Sequence, residues 1–309
     1  MDSTSIGLRL GDTRATVDTI GVRMLSLRVG DADLTQPVTA STPHEYYNGV
    51  VLAPWPNRVR GGRWRLGDDV HQLDITEPAR GGALHGLLSF ADYRVLERSD
   101  DAVTLGARIP VQHGWPFELD TTVRYQLEPD GVLVTHTARN RSASPAPWAV
   151  GAHPYLRVGA HPVEGLELRI PTETVFDVDA RLDPTGESPV DGTAFDLRGG
   201  RRVGELRLDT AFRIHASTTG SGGLMESARL AGPDADTVLL QDADWAFVQV
   251  FTTDTYRSDT GQGDTGPIGA IAVEPMSAPP DALNSGIGLA WIEPGASWTG
   301  SWALRRETR

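Results

Sequence analysis

The chain has 309 residues, with 28 arginines, no lysine, 41 acidic side chains and no cysteine, so its formal net charge is −13. The absence of lysine excludes Schiff-base chemistry and a Walker-type nucleotide site, and the absence of cysteine excludes disulfides, thiol nucleophiles and Cys-ligated metal sites. An acidic chain without a clustered basic face is not expected to bind nucleic acid or an anionic membrane surface.

Short strands dominate the predicted secondary structure. The clearest signal is a hairpin over residues 117–127 and 132–140, in which apolar and polar residues alternate on both sides of a Glu-Pro-Asp-Gly turn. Strand-like runs also occur at residues 94–109, 166–171, 237–241, 246–253, 268–273 and 297–304. Helical periodicity is not sustained over ten residues anywhere. Many short strands with almost no helix predict an all-β sandwich or barrel.

The organisation of the chain predicts one domain over residues 1–309, because its 34 glycines and 21 prolines are spread evenly and no linker divides it. Residues 1–20 lack the basic start and apolar core of a secretion signal, and no apolar run approaches membrane-spanning length. We therefore expect a soluble, cytoplasmic protein, either a monomer or a homodimer.

Two patterns are interpreted as having no functional meaning. Residues 261–266 read Gly-Gln-Gly-Asp-Thr-Gly, but a proline and a predicted strand follow, whereas a dinucleotide site requires a helix there. We interpret this segment as a loop. His153 and His161 are eight residues apart in a proline-broken segment, which matches no ligand spacing. Neither a metal site nor a dinucleotide site is expected from these patterns.

Four segments place polar side chains in restrained turn contexts. Two prolines precede Asn57 and Arg58, so Arg58 is either a fork aimed at ligand hydroxyls or a turn arginine paired with a carboxylate. His85 lies among glycines. His153 precedes Pro154, which favours an extended backbone and limits where the ring can point. It is a candidate proton donor or a structural histidine.

The fourth segment places Glu274 at the end of an apolar strand, before three prolines. A carboxylate in such a position is either paired or functional, and desolvation raises its pKa towards that of a general base. Asp209 is a weaker case of the same kind, equally compatible with a solvated strand end. Two such carboxylates also suit a glycosidase, whose chemistry depends on their separation.

Six short motifs then follow one another between about residues 45 and 306: Asn57-Arg58, Leu84-His85-Gly86, His153-Pro154-Tyr155, Asp209 before Phe212, Glu274 followed by Asp281 and Asn284, and Glu293-Pro294-Gly295. Their order and rough spacing resemble the aldose 1-epimerase (galactose mutarotase) family. The resemblance implies a large antiparallel β-sandwich with a sugar bound in a cleft across one sheet, and no cofactor.

The resemblance also implies roles for the candidate residues. Glu274 would be the general base at the anomeric hydroxyl of an aldose, and His153 the general acid at the ring oxygen. Arg58, His85, Asp209 and Asn57 would bind the sugar. Trp55 or Trp245 is a hypothetical aromatic face on which a sugar ring could stack.

Three departures from the galactose-type pattern leave the sugar open. Trp55-Pro56 precedes the Asn-Arg motif, Leu87 and Leu88 follow His85-Gly86, and Thr210 rather than histidine follows Asp209. The nearest alternative is a hexose-6-phosphate 1-epimerase using a cationic cluster of Arg58, Arg60 and Arg63. Further alternatives are a non-catalytic carbohydrate-binding domain, and a lyase or glycosidase on the same scaffold.

Overall fold

The computed structural model describes residues 4–39, 42–215, 223–257 and 267–309. The loop predicted at residues 261–266 lies outside the described residues. The strands of the first half are, in chain order, β1 (Ser5–Leu10), β2 (Thr13–Asp18), β3 (Met24–Val29), β4 (Ala32–Asp33), β5 (Val51–Leu52), β6 (Arg58–Val59), β7 (Arg63–Leu66), β8 (Asp69–Gln72), β9 (Ala83–Leu84), β10 (Arg94–Arg98), β11 (Ala102–Ile109), β12 (Leu119–Glu128), β13 (Gly131–Asn140) and β14 (Ala146–Trp148).

The strands of the second half are β15 (Gly151–Ala152), β16 (Glu167–Arg169), β17 (Thr172–Val178), β18 (Pro184–Pro189), β19 (Arg201–Arg202), β20 (Asp209–Ile214), β21 (Met225–Ala231), β22 (Ala235–Gln241), β23 (Phe247–Tyr256), β24 (Ile268–Met276), β25 (Ala290–Ile292) and β26 (Ser297–Thr308). One short α-helix, Ala282–Ser285, and four 3-10 turns are found in the described ranges: His44–Tyr46, Arg60–Gly62, Val163–Gly165 and Val203–Glu205. None of the helices described there is long and apolar enough to span a membrane.

Two large antiparallel sheets form the body of the molecule. One has nine strands in the order β10-β11-β12-β13-β26-β22-β21-β16-β19, and the other has seven in the order β18-β17-β20-β23-β24-β15-β5. A four-stranded sheet, β1-β2-β3-β4, precedes them in the chain. The architecture confirms the prediction of an all-β antiparallel sandwich.

The predicted hairpin is confirmed as β12 and β13, whose register joins Glu128 to Gly131 across the turn. The other predicted runs also form strands, although residues 94–109 split into β10 and β11 around a turn. The sequence analysis did not predict β1–β4. In β2 the buried positions are Thr13, Ala15 and Val17, of which only the last is strongly apolar, so the alternation is weak in the sequence.

Alternation along the seven-stranded sheet separates the core from the site. Val250 and Val273, which are register partners, belong to the main hydrophobic core, which also includes residues of the nine-stranded sheet. Successive strand residues point to opposite faces. The neighbouring pair, Gln249 and Glu274, therefore projects from the face of the sheet turned away from that core.

Candidate active site

Adjacent strands of the seven-stranded sheet supply three of the six predicted site residues and one further polar side chain, that of Gln249. Asp209 begins β20, Gln249 is in β23, Glu274 is in β24, and His153 immediately follows β15. These strands are neighbours in the order β20-β23-β24-β15, so one candidate side chain comes from each of four consecutive strands. The sheet thus brings together His153, Asp209 and Glu274, each more than 50 positions from the next in the sequence.

The small β6–β9 pair supplies Arg58 and His85. Arg58 pairs with Leu84, so His85 follows directly after the register partner of Arg58. Asp281 braces the pair: its N–H donates to the carbonyl of Arg58 (2.7 Å) and its Oδ1 accepts from the N–H of Arg60 (3.0 Å). Asn284, the last polar residue of the same motif, donates to the carbonyl of Arg63 (2.8 Å). Asp281 and Asn284 therefore hold the segment that carries Arg58.

His153 and Glu274 are in direct contact, with 3.2 Å between His153 Nε2 and Glu274 Oε1. Their exposed fractions are 6% and 2%. The other polar atom of each side chain, His153 Nδ1 and Glu274 Oε2, is buried and has no hydrogen-bond partner among the described residues. The ring of Tyr155 stacks on that of His153 with centroids 5.3 Å apart, which restricts the orientation of the imidazole.

Burial controls the protonation of this pair. It raises the pKa of Glu274 well above the ordinary value, an effect that the negative charge of Asp209 increases and the positive charge of Arg58 opposes. Burial also lowers the pKa of His153 to about 3. Burial therefore favours a protonated Glu274 beside a neutral His153.

Arg58 is almost buried and meets two carboxylates. Its Nε and Nη2 lie 2.7 and 3.0 Å from the two carboxylate oxygens of Glu77, and Nη2 lies 3.9 Å from Asp209 Oδ2. Asn57, at a positive φ of 54°, accepts the N–H of Arg58 on its Oδ1 at 2.9 Å. Arg58 is thus paired with a carboxylate, one of its two predicted roles, while lying beside the catalytic candidates.

His85 contacts His153 edge to face, with the ring centroids 5.6 Å apart. Its φ is 61°, it is 5% exposed, and its Nδ1 has no partner in the described part of the chain. Burial lowers the pKa of His85 well below the ordinary value, and the nearby His153 and Arg58 lower it further. At neutral pH His85 is therefore a neutral imidazole that can hydrogen-bond a hydroxyl.

Three contributors were missed from the sequence. Gln249 donates from Nε2 to Asp209 Oδ1 at 2.6 Å, while its buried Oε1 has no partner among the described residues. Its signal was a lone amide within an apolar strand. Tyr155 belongs to the His153-Pro154-Tyr155 motif, but the sequence gives it no role of its own. Glu77 lies in a polar loop, and no local pattern distinguishes it because its role depends on the contact with Arg58.

Other candidates are placed elsewhere by the fold. Trp55 and Trp245 are only 2% and 1% exposed and pack in the main core, so neither offers an open ring face, and the stacking hypothesis for them is wrong. Arg60 contacts Asp183 and the Pro184 carbonyl, and Arg63 contacts Gln72. Arg58, Arg60 and Arg63 therefore do not converge into the cationic pocket that a phosphorylated sugar requires.

Metal binding was also considered for the described residues. They contain no group of three or more histidine, aspartate or glutamate side chains arranged to hold a metal ion. His136, a histidine outside the site, accepts a hydrogen bond on Nε2 from Trp302 Nε1 at 3.0 Å, and burial lowers the pKa of His136 to about 3. It is a neutral core histidine.

Two known proteins are similar to this chain in sequence. The uncharacterized protein YihR of Escherichia coli (strain K12) is 32% identical over 292 residues, covering 94% of this chain and 89% of that protein. Human galactose mutarotase is 32% identical over 172 residues, covering 53% of this chain and 48% of that protein.

Solved structures share the fold. The GalM/aldose epimerase homologue from C. elegans has a TM-score of 0.85 at 17% identity, covering 99% of both chains. Galactose 1-epimerase from Lactobacillus acidophilus has a TM-score of 0.78 at 18% identity, covering 100% of this chain and 95% of that one. The family model for aldose 1-epimerase matches residues 5–305. The chain therefore belongs to the aldose 1-epimerase family.

Proposed function

We propose that the protein is an aldose 1-epimerase that interconverts the α and β anomers of a free aldose. One observation carries the proposal: buried polar atoms without described partners converge around the contact of His153 with Glu274. They are His153 Nδ1, Glu274 Oε2, His85 Nδ1 and Gln249 Oε1. Because buried polar groups are nearly always hydrogen-bonded, such a cluster is typical of a site for a polyhydroxylated ligand.

The proposed reaction requires two proton transfers. Glu274 removes the proton of the anomeric hydroxyl while His153 protonates the ring oxygen, so the bond between the anomeric carbon and the ring oxygen breaks and an aldehyde forms. Rotation about the bond next to the aldehyde exposes its other face. The ring then closes as both protons return, and the anomeric configuration is inverted. No electron is gained or lost, so the reaction needs no redox cofactor.

The protonation of the pair suits this exchange. Because burial opposes a charge on either group, it favours a proton on Glu274 and a neutral His153. Passage of that proton from Glu274 Oε1 to His153 Nε2 across 3.2 Å creates a carboxylate and an imidazolium, which are the base and the acid of the proposed step. Each correctly placed group typically contributes a rate factor of about 10²–10⁴.

The remaining residues would hold the sugar. We assign Arg58, His85 and Asp209 to hydroxyl groups, with Asn57 keeping Arg58 in place and Gln249 adding an acceptor. The site combines donors that remain charged, a neutral imidazole and carboxylate acceptors, which together match the mixed donor and acceptor character of hydroxyl groups. The substrate class is therefore a free aldose.

Polarimetry tests the proposal. Purified protein is added to freshly dissolved α-D-glucose and α-D-galactose, and in parallel to α-D-glucose 6-phosphate. We expect faster approach to anomeric equilibrium with a free sugar and no cleavage of a disaccharide. Tight sugar binding without acceleration would instead indicate a binding domain, and faster exchange of the phosphorylated sugar would indicate a hexose-6-phosphate 1-epimerase.

A further inference from the structure

The ion pair between Glu77 and Arg58 has geometry that the catalytic proposal does not use. Both carboxylate oxygens of Glu77 are engaged, at 2.7 Å from Nε and 3.0 Å from Nη2. Only 9% of the Arg58 side chain and 20% of the Glu77 side chain are exposed. A bidentate contact of this kind restrains the guanidinium plane as well as its position.

Glu77 is held in place by its own loop. Its N–H donates to the Gly82 carbonyl (3.1 Å), and its carbonyl accepts the N–H groups of Arg80 (3.2 Å) and Gly81 (2.9 Å). The loop then leads through β9 to His85. One short segment therefore supplies both a ligand-facing imidazole and the carboxylate that restrains Arg58.

Carboxylates outnumber cations among the residues that we place in the site. Arg58 is the only cationic side chain among the described residues that we place in the site, and Glu77 pairs with it. Arg80 also contacts Glu77, with 3.4 Å between Nε and Oε1, but 37% of its side chain is exposed, so solvent screens its charge. Asp209 adds a second carboxylate 3.9 Å from Nη2 of Arg58. An anionic substituent on a sugar would therefore meet like charge in a poorly solvated pocket, whereas hydroxyl groups would not.

We propose that Glu77 is a specificity-determining residue that positions and neutralises Arg58, so that the site accepts uncharged aldoses and discriminates against aldoses carrying a carboxylate. The inference rests on the proposed function and deepens it by naming the substrate class. It also separates two contributions of Glu77: its shape, which holds the guanidinium, and its charge, which sets the preference.

Two substitutions separate these contributions. Glu77→Gln keeps the length of the side chain and one acceptor but removes the charge, whereas Glu77→Asp keeps the charge but shortens the reach. The readout is the kcat/KM for anomer exchange of glucose divided by that for glucuronate, measured by NMR exchange spectroscopy. A ratio does not change when a variant is only partly folded.

We expect wild type to prefer glucose. Glu77→Gln should lower the glucose-to-glucuronate ratio by about tenfold or more, as expected for removing one charge near a ligand charge in a pocket of reduced dielectric. Glu77→Asp should lower both kcat/KM values while leaving their ratio near that of the wild type.

A matched ion pair provides the control. Glu187 contacts Arg213 through the same two nitrogens, at 2.6 Å from Nε and 3.0 Å from Nη2. Arg213 is four residues beyond Asp209 in β20, about 13 Å along the strand at the usual rise. Glu187→Gln should leave the ratio unchanged.

The outcomes that overturn the inference are distinct. An unchanged ratio in an active Glu77→Gln enzyme, an equal shift in Glu187→Gln, or a wild type that exchanges glucuronate as well as glucose would each refute the role of Glu77 and leave the epimerase proposal intact. A wild type that accelerates no sugar would refute the proposed function, and this inference with it.

Discussion

Glu274 has a carboxyl group whose surroundings oppose its ionisation, and this has a consequence for stability. Burial raises the pKa of Glu274, so the folded state favours the protonated form while the unfolded chain ionises at the ordinary value. Wild type should therefore lose stability relative to Glu274→Gln as pH rises above about 4, the ordinary glutamate value.

We expect Glu274→Gln to be more stable than wild type at pH 7 by roughly 1–2 kcal/mol, the size typical of relieving strain at a functional site. Melting temperatures of both proteins at pH 4 and pH 7 check this. The difference should nearly vanish at pH 4. A variant that melts below wild type at pH 7 would contradict the account of a costly buried carboxylate.

Asp209 should control the upper pH limit of activity. After burial, the charge of Asp209 is the next largest cause of the raised pKa of Glu274. The proposed reaction uses the proton that burial favours on Glu274, and this proton is lost as pH rises through that pKa. Asp209→Asn should therefore move the alkaline limb of the kcat/KM profile to lower pH. The control is Asp177→Asn, which removes an exposed carboxylate on β17 and should leave the alkaline limb in place. An unmoved limb in Asp209→Asn would refute the coupling between Asp209 and Glu274.

At the scale of elements, the link between β9 and the loop after it depends on one glycine. Gly86 has a φ of 75°, and a Cβ there would lie 2.1 Å from the carbonyl oxygen of Ala53. A Cβ is fixed directly to the backbone of residue 86, and the oxygen it meets belongs to the backbone of Ala53. Relief of the clash would therefore have to move the segment that holds His85.

Gly86→Ala should lower kcat/KM by about tenfold or more and destabilise the fold by more than the roughly 1–2 kcal/mol of a left-handed alanine alone. Gly67 is the matched control, since its φ is 60° but a Cβ there meets nothing within 4 Å. Gly67→Ala should cost stability only. Activity is measured by anomer exchange and stability by thermal melting. Equal losses of activity in both variants would contradict the role of Gly86 in holding His85.

How much the sequence could predict differs between these scales. The strands with alternating apolar residues, such as β12 and β13, were predictable because periodicity is a local property. Glu274, His153 and Arg58 were identifiable from local context and motif order. The pairing of Arg58 with Glu77, 19 positions away, and of Gln249 with Asp209, 40 positions away, depends on the folded chain. No local pattern specifies such contacts.

At the scale of the whole molecule, one core unites the two large sheets. Its members include Leu119 and Trp302 of the nine-stranded sheet and Val250 and Val273 of the seven-stranded sheet. Sheets that share a core should unfold together. We predict a single urea transition, superimposable when followed by far-UV circular dichroism and by tryptophan fluorescence. Two separated transitions would refute the prediction of one domain over residues 1–309.

The most direct test of the central claim is the rate of anomer exchange in Glu274→Gln and His153→Ala compared with wild type, measured by polarimetry on fresh α-D-glucose at pH 7, with galactose if glucose is not exchanged. If these residues are the base and the acid, each variant should lose about two decades of turnover or more, while circular dichroism shows an intact fold. Wild-type turnover in either variant would remove that residue from the mechanism and contradict the proposed pair.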